Sequence, residues 1–151
     1  MISFDRYNIA VMVEAGFIYL GMQHFQEAKK VFEGVVALVP DDDIPRVALG
    51  NAEFCQGNFK KALRHYEEAL LLNPKSIFAK VYMGEALLFE GKRDEAIEVL
   101  KAVKAKDAKG AAGGFAMVLL DAIHDGFVPK MIKNSEKKVP HATTKKVSKH
   151  R

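Results

Sequence analysis

The sequence predicts an all-α fold: three helical hairpins in a short right-handed solenoid, closed by a capping helix and followed by a basic tail. Three kinds of recurring position carry this reading. Laid over itself at a shift of 34 residues, the chain aligns the small residues Gly16, Gly50 and Gly84, and Ala28, Ala62 and Ala96. The same shift aligns the large residues Phe32, Tyr66 and Leu100, and Phe25 with Phe59. The breakers recur in the same frame, Gly57 with Gly91 and Pro40 with Pro74. Small, large and breaker positions repeating together mark stacked helix-turn-helix units, and three units are about the minimum that buries a continuous core.

The elements follow in order. Helices are expected near 6–22, 25–38, 44–56, 59–72, 77–90 and 93–105, with a seventh near 112–125, and no strand. Glycine and alanine on facing helices allow close approach, and the large residue four after each alanine fills the space beside them. Gly57 and Gly91 stand where the chain turns and a positive φ is cheap only without a Cβ. Pro40 and Pro74 end the second helix of their units. Asp42 or Asp43, and Ser76, are placed to cap the helices that follow. In the third unit Ala108 replaces the closing proline, and residues 106–110 read as a polar connection to the cap helix. Gly110–Gly114 reads as a flexible hinge, because no strand precedes it and no Gly-Lys-Ser/Thr follows, as a phosphate loop requires. The cap should turn Phe115, Val118, Leu119, Ala122 and Ile123 inward and leave Met117 and Leu120 to be covered.

Composition places the chain among ordinary globular domains, with 151 residues, 49% apolar and 28% charged. The formal charge of +4 is misleading, because residues 127–151 hold eight of the 23 bases and only Glu136 of the 19 acids. The body, residues 1–126, is therefore mildly acidic, and a flexible basic tail, 127–151, accounts for the high pI. That tail has no aromatic after Phe127, so it supports only salt-sensitive phosphate attraction, and nucleic-acid binding is disfavoured. The lone Cys55 excludes an internal disulfide and suits a reducing compartment. The longest uncharged apolar run, Gly110–Leu120, is too short to cross a bilayer, and no leader is apparent at Met1, so a soluble, cytoplasmic protein is expected.

Catalytic chemistry is not indicated. His24, His65, His124, His141 and His150 lack metal-ligand spacing, and no nucleophile arrangement stands out. Asp41–Asp43 lacks the alternating ligands and turn glycine of a calcium loop. No enzyme activity, cofactor or metal is expected.

The period and the small-then-large order resemble the tetratricopeptide repeat from about Ile9 to Ala108. The aromatic positions of that family fall on Met12 with Tyr19, Arg46 with Glu53, and Lys80 with Leu87, so units two and three are degenerate there. The resemblance implies a concave channel lined by positions 2, 5, 9 and 12 of each unit. These are Ala10, Val13, Phe17 and Leu20, then Ile44, Val47, Asn51 and Phe54, then Phe78, Val81, Glu85 and Leu88. Members that clamp an acidic C-terminal carboxylate use Lys and Arg there; this chain has Val13, Phe78 and Tyr82, with only Asn51 in keeping. An apolar channel suits the hydrophobic face of a partner helix.

From Ile9 to Met22 the first helix carries only Glu14 as a charge, which implies cover from Met1–Arg6, a second copy or another small helical protein, another chain being preferred. The size, channel and first helix are similar to the chaperones of bacterial type III secretion, most closely the one that holds the needle subunit. That resemblance implies a client helix over Val13, Phe17, Leu20, Ile44, Val47, Asn51, Phe54, Phe78, Val81 and Leu88. It also implies a co-chaperone or dimer face at Ile9, Val11, Ile18 and Met22. Alternatives are a chaperone of the translocator proteins, whose clients are extended segments, and a scaffold joining folded proteins.

Overall fold

The computed structural model describes residues 5–130, in which the chain forms seven α-helices and no strand. They are α1 (Arg6–Gly21), α2 (Phe25–Leu38), α3 (Ile44–Cys55), α4 (Phe59–Leu72), α5 (Ile77–Phe89), α6 (Arg93–Lys106) and α7 (Ala111–His124). Each end lies within one residue of the position expected from the repeat. The tail from residue 131 lies outside the described residues.

Each helix packs on its chain neighbours, and the odd helices also pack in series, α1 on α3, α3 on α5 and α5 on α7. The even helices make no such approach to one another. Odd helices drawn together and even helices splayed apart curve the stack, so α1, α3 and α5 line its inner side.

The repeat is mechanical. Ala28, Ala62 and Ala96 have no exposed surface, and Phe32, Tyr66 and Leu100 have essentially none. A Cβ on Gly16 would run into Phe32, on Gly50 into Tyr66, and on Gly84 into Leu100. Hairpin closure therefore depends on a bare backbone opposite a large side chain in every unit.

The turns follow one pattern. Gly57 and Gly91 adopt φ of +81° and +83°. Gln23, their equivalent in the first unit, has φ 61°, a conformation costly for a residue with a Cβ, and its side chain gave no sign of it. Among the capping expectations, Asp42 accepts the Ile44 N–H at 3.0 Å, whereas Ser76 sits at the α5 N-cap with no capping bond from its hydroxyl.

Two expectations for the cap are corrected. Residues 110–114 form a tight helix start, because the Gly113 N–H donates to Asp107 Oδ2 at 3.0 Å, and a Cβ on Gly110 or Gly113 would collide with Asp107. These glycines serve close approach, and Asp107 acts as the cap. Val118, expected inward, is 61% exposed; α7 buries Ala112, Gly113, Ala116, Leu119 and Ile123 instead.

Candidate functional site: the concave face

The inner layer opens into a hollow of about 1110 Å³ at the N-terminal end, between α1, the end of α2 and the start of α3. Val13 and Phe17 line it from α1 and Ile44 from α3, as the repeat stripe anticipates. Phe17 and Ile44 are substantially exposed, and Phe17 is held edge-on against the buried Phe32 at 5.2 Å between ring centroids. Ile9, expected on the outer side of α1, also lines this hollow. Glu14 and Asp41–Asp43 rim it, with Arg6 as the one cation among the described residues.

Further along, the expected stripe divides into surface and support. Phe78 is exposed, and Asn51 and Phe54 are half-buried. Val47, Val81 and Leu88 are buried, and Val13 and Leu20 also pack on the core. The buried three are therefore the floor beneath the face and offer no free surface to a guest. The cause is the coarseness of a 100° stripe: on a helix covered from two sides, positions 5 and 12 turn partly into the neighbouring hairpin.

The centre of the face is more polar than the stripe suggests. Tyr66 donates its hydroxyl to Asn51 Oδ1 at 2.7 Å. Glu85, half-buried on α5, has no ion-pair or hydrogen-bond partner among the described residues. Desolvation pushes its carboxyl up to about 7. Burial, reinforced by Glu85, raises Tyr66, Tyr82 and Cys55 above their ordinary values.

Because the folded state holds this proton more tightly, stability should fall as pH rises from about 4.5 to about 7 and stay lower above that range. Glu85→Gln should therefore raise the unfolding free energy by about 1 kcal/mol at pH 8, allowing for water screening, and leave it unchanged at pH 4. Urea melts at the two pH values check this, and an equal effect at both would refute it.

Two aromatic groups extend beyond the expected stripe, one from Phe78 and one from Phe54. Tyr82 stacks with Phe78 at 6.4 Å and with Tyr66 at 6.1 Å, and meets Phe115 at 6.1 Å. Phe54, Phe59 and Phe89 form a three-ring cluster at 5.1–5.3 Å, against which Phe127 folds at 6.4 Å. The sequence signs of the second group were Phe54 on the stripe and the recurrence of Phe25 at Phe59.

On the outer side of α1, Tyr7, Val11, Ile18 and Met22 are all exposed and form one ridge. Tyr7 was not anticipated. No helix among the described residues is long and apolar enough to cross a membrane, and no cluster of metal-ligating side chains occurs among them.

Models of the tetratricopeptide repeat match the chain over residues 14–77 and 54–114. No curated protein matches it significantly. Among solved structures, the Yersinia enterocolitica type III secretion translocator chaperone SycD is similar, with a TM-score of 0.70, 19% identity, and coverage of 78% of this chain and 91% of that one. PcrH, in complex with the chaperone binding region of PopD, has a TM-score of 0.68 and 19% identity over 83% of this chain and 97% of that one. The first repeat domain of Spaghetti (RPAP3), bound to the HSP90 peptide SRMEEVD, has a TM-score of 0.68 and 21% identity, again over 83% and 97%. The odd helices in contact, the glycine-backed hairpins and both sequence matches lead to one statement: this chain is built of tetratricopeptide repeats.

Proposed function

We propose that the protein is a non-enzymatic chaperone of the type III secretion class, which holds a segment of a client protein on its concave face until export. The observation that carries this is the 1110 Å³ hollow, with Phe17 and Ile44 exposed inside it, continued along the face by exposed Phe78. Large apolar side chains facing water around a concavity are stabilised by covering them. The similarity to SycD and PcrH supports the class, and SycD, a translocator chaperone, favours translocator proteins as clients.

The needle-subunit helix is the second reading. A client helix needs a continuous apolar trough, but the apolar positions here are separate, with Asn51 and Glu85 between them. Discrete anchors with polar groups between them suit an extended segment, whose backbone amides and carbonyls need partners. An acidic carboxylate tail fits poorly beside Asp41–Asp43 and Glu85. The exposed ridge of α1 is assigned to a second protein chain, either another copy or a small helical co-chaperone, and the protein is placed in the cytoplasm.

A photo-crosslinking side chain at position 17 or 78 of the full-length protein, expressed in its native cells, tests the reading. Both positions should trap the same secreted protein, through a segment that mass spectrometry maps. Phe17→Glu combined with Phe78→Glu should weaken client binding by about a hundredfold while lowering the melting temperature only modestly, since both rings are already partly exposed. Client retention by that folded variant would remove the concave face as the site.

A further inference from the structure

Among the described residues the solenoid stops half-way through a unit. A shift of 34 residues carries the face of α5 that packs on α6, including Met83, Gly84 and Leu87, onto Met117, Val118 and Asp121 of α7. In the complete unit Gly84 lies against Leu100, and Leu63 of α4 packs on the same core. At the C-terminal end Met117 and Val118 are exposed, and Ile97, the equivalent of Leu63, joins Met117 and Leu120 in lining an open trough of about 680 Å³ between α6 and α7. It is the place where an eighth helix would lie.

The chain's own tail is a poor occupant. The three positions buried in every second helix are 28, 32 and 35, then 62, 66 and 69, then 96, 100 and 103. The next set falls on Lys130, Asn134 and Lys137, and a register one residue later gives Met131, Ser135 and Lys138. Either register seats a lysine in a dry contact, at a cost of several kcal/mol. The trough also repels that tail: among the described residues Arg93, Lys101 and Lys104 line it, against the single acid Asp121.

We propose that this trough is the docking site for one amphipathic helix of a partner protein, with a stripe of small residues along its centre and carboxylates along its edges. The small residues are required because Met117 and Leu120 already fill the α7 side of the trough, and Val118 beside them stands where the other units have glycine, leaving no room for a ring such as Phe32 or Tyr66. The carboxylates answer Lys101 and Lys104. The site lies on the α6–α7 side, apart from the concave face, and is independent of the client reading.

Two helix-stabilised, fluorescein-labelled peptides of about four turns test it, one with an alanine stripe and glutamate edges, the other with lysine edges. Fluorescence anisotropy with the full-length protein should show the glutamate peptide binding at least about tenfold more tightly than the lysine peptide. Met117→Glu, in the trough at a partly exposed position, should weaken it about tenfold with little change in the melting temperature. Lys101→Glu with Lys104→Glu should reverse the preference. Failure of the glutamate peptide to bind overturns the proposal, as does binding that survives Met117→Glu or is lost instead in Phe78→Glu. A dimer that Met117→Glu dissociates in sedimentation would make a second copy the occupant, and an affinity raised by deleting residues 131–151 would make it the tail; either result also overturns the proposal.

Discussion

Replacing Gly50 by alanine is expected to lower the unfolding free energy by about 2 to 3 kcal/mol, although alanine is the better helix former by about 1 kcal/mol. The added methyl would overlap the Tyr66 ring, meeting Cδ1 at 2.7 Å and Cζ at 2.9 Å. Tyr66 is 1% exposed and its hydroxyl is bound to Asn51, so the ring cannot swing aside without opening the hairpin. At Gly84 the opposing group is the branched tip of Leu100, which has rotamers to try, and Gly84→Ala should cost less. Urea unfolding followed by circular dichroism gives both values. Gly50→Ala with Tyr66→Leu, which sets the third unit's leucine opposite the added methyl, should recover part of the loss. Equal stability of Gly50→Ala and the parent would mean that the glycine is not held bare by its neighbour.

That contrast shows what the sequence could convey. Hairpin positions were legible because both partners of each contact recur at the same spacing, so Gly16 with Phe32 and Gly50 with Tyr66 appear as one rule. The concave face was legible only in part. Phe17, Ile44 and Phe78 face outward as their stripe suggests, but Val47, Val81 and Leu88 lie on the same stripe and are sealed by packing between hairpins. One helix's periodicity does not report how its neighbours tilt. For the same reason Tyr82, noted only at a clamp position, was left off the stripe, and Phe89 was missed. Asp107 was missed because its partner, the Gly113 amide, belongs to the backbone and leaves no mark in the side-chain pattern. Glu53, which looks like a lapse in the repeat, is the most informative departure.

In α3 Glu53 is buried, its Oε1 lying 2.8 Å from Lys29 Nζ and its Oε2 accepting from Asn58 Nδ2 at 2.8 Å. One unit later the same two positions are Leu63 and Leu87, which share an apolar cluster. The solenoid has thus solved one contact twice, once with charges and once with leucines. Burial alone would raise the Glu53 pKa, but the hydrogen bonds from Lys29 and Asn58 and the lysine's charge hold it below its ordinary 4.5. A depressed carboxylate contributes stability above the unfolded value and loses it as pH falls through the folded one, so this contribution disappears in acid below about pH 4.5. Lys29→Leu strands the carboxylate and should cost about 2 to 3 kcal/mol at pH 7. With its cation gone and its burial unchanged, Glu53 then titrates upward, so the deficit should shrink as pH falls towards 4. Lys29→Leu with Glu53→Leu, which copies the next unit, should return to within about 1 kcal/mol of the parent at pH 7, because two leucines need no solvation. Its stability should also lose the acid dependence that Glu53 supplies. Urea melts of the single and double variants at pH 7 and pH 4 complete the test. A double variant no more stable than Lys29→Leu would show that the two units are not interchangeable.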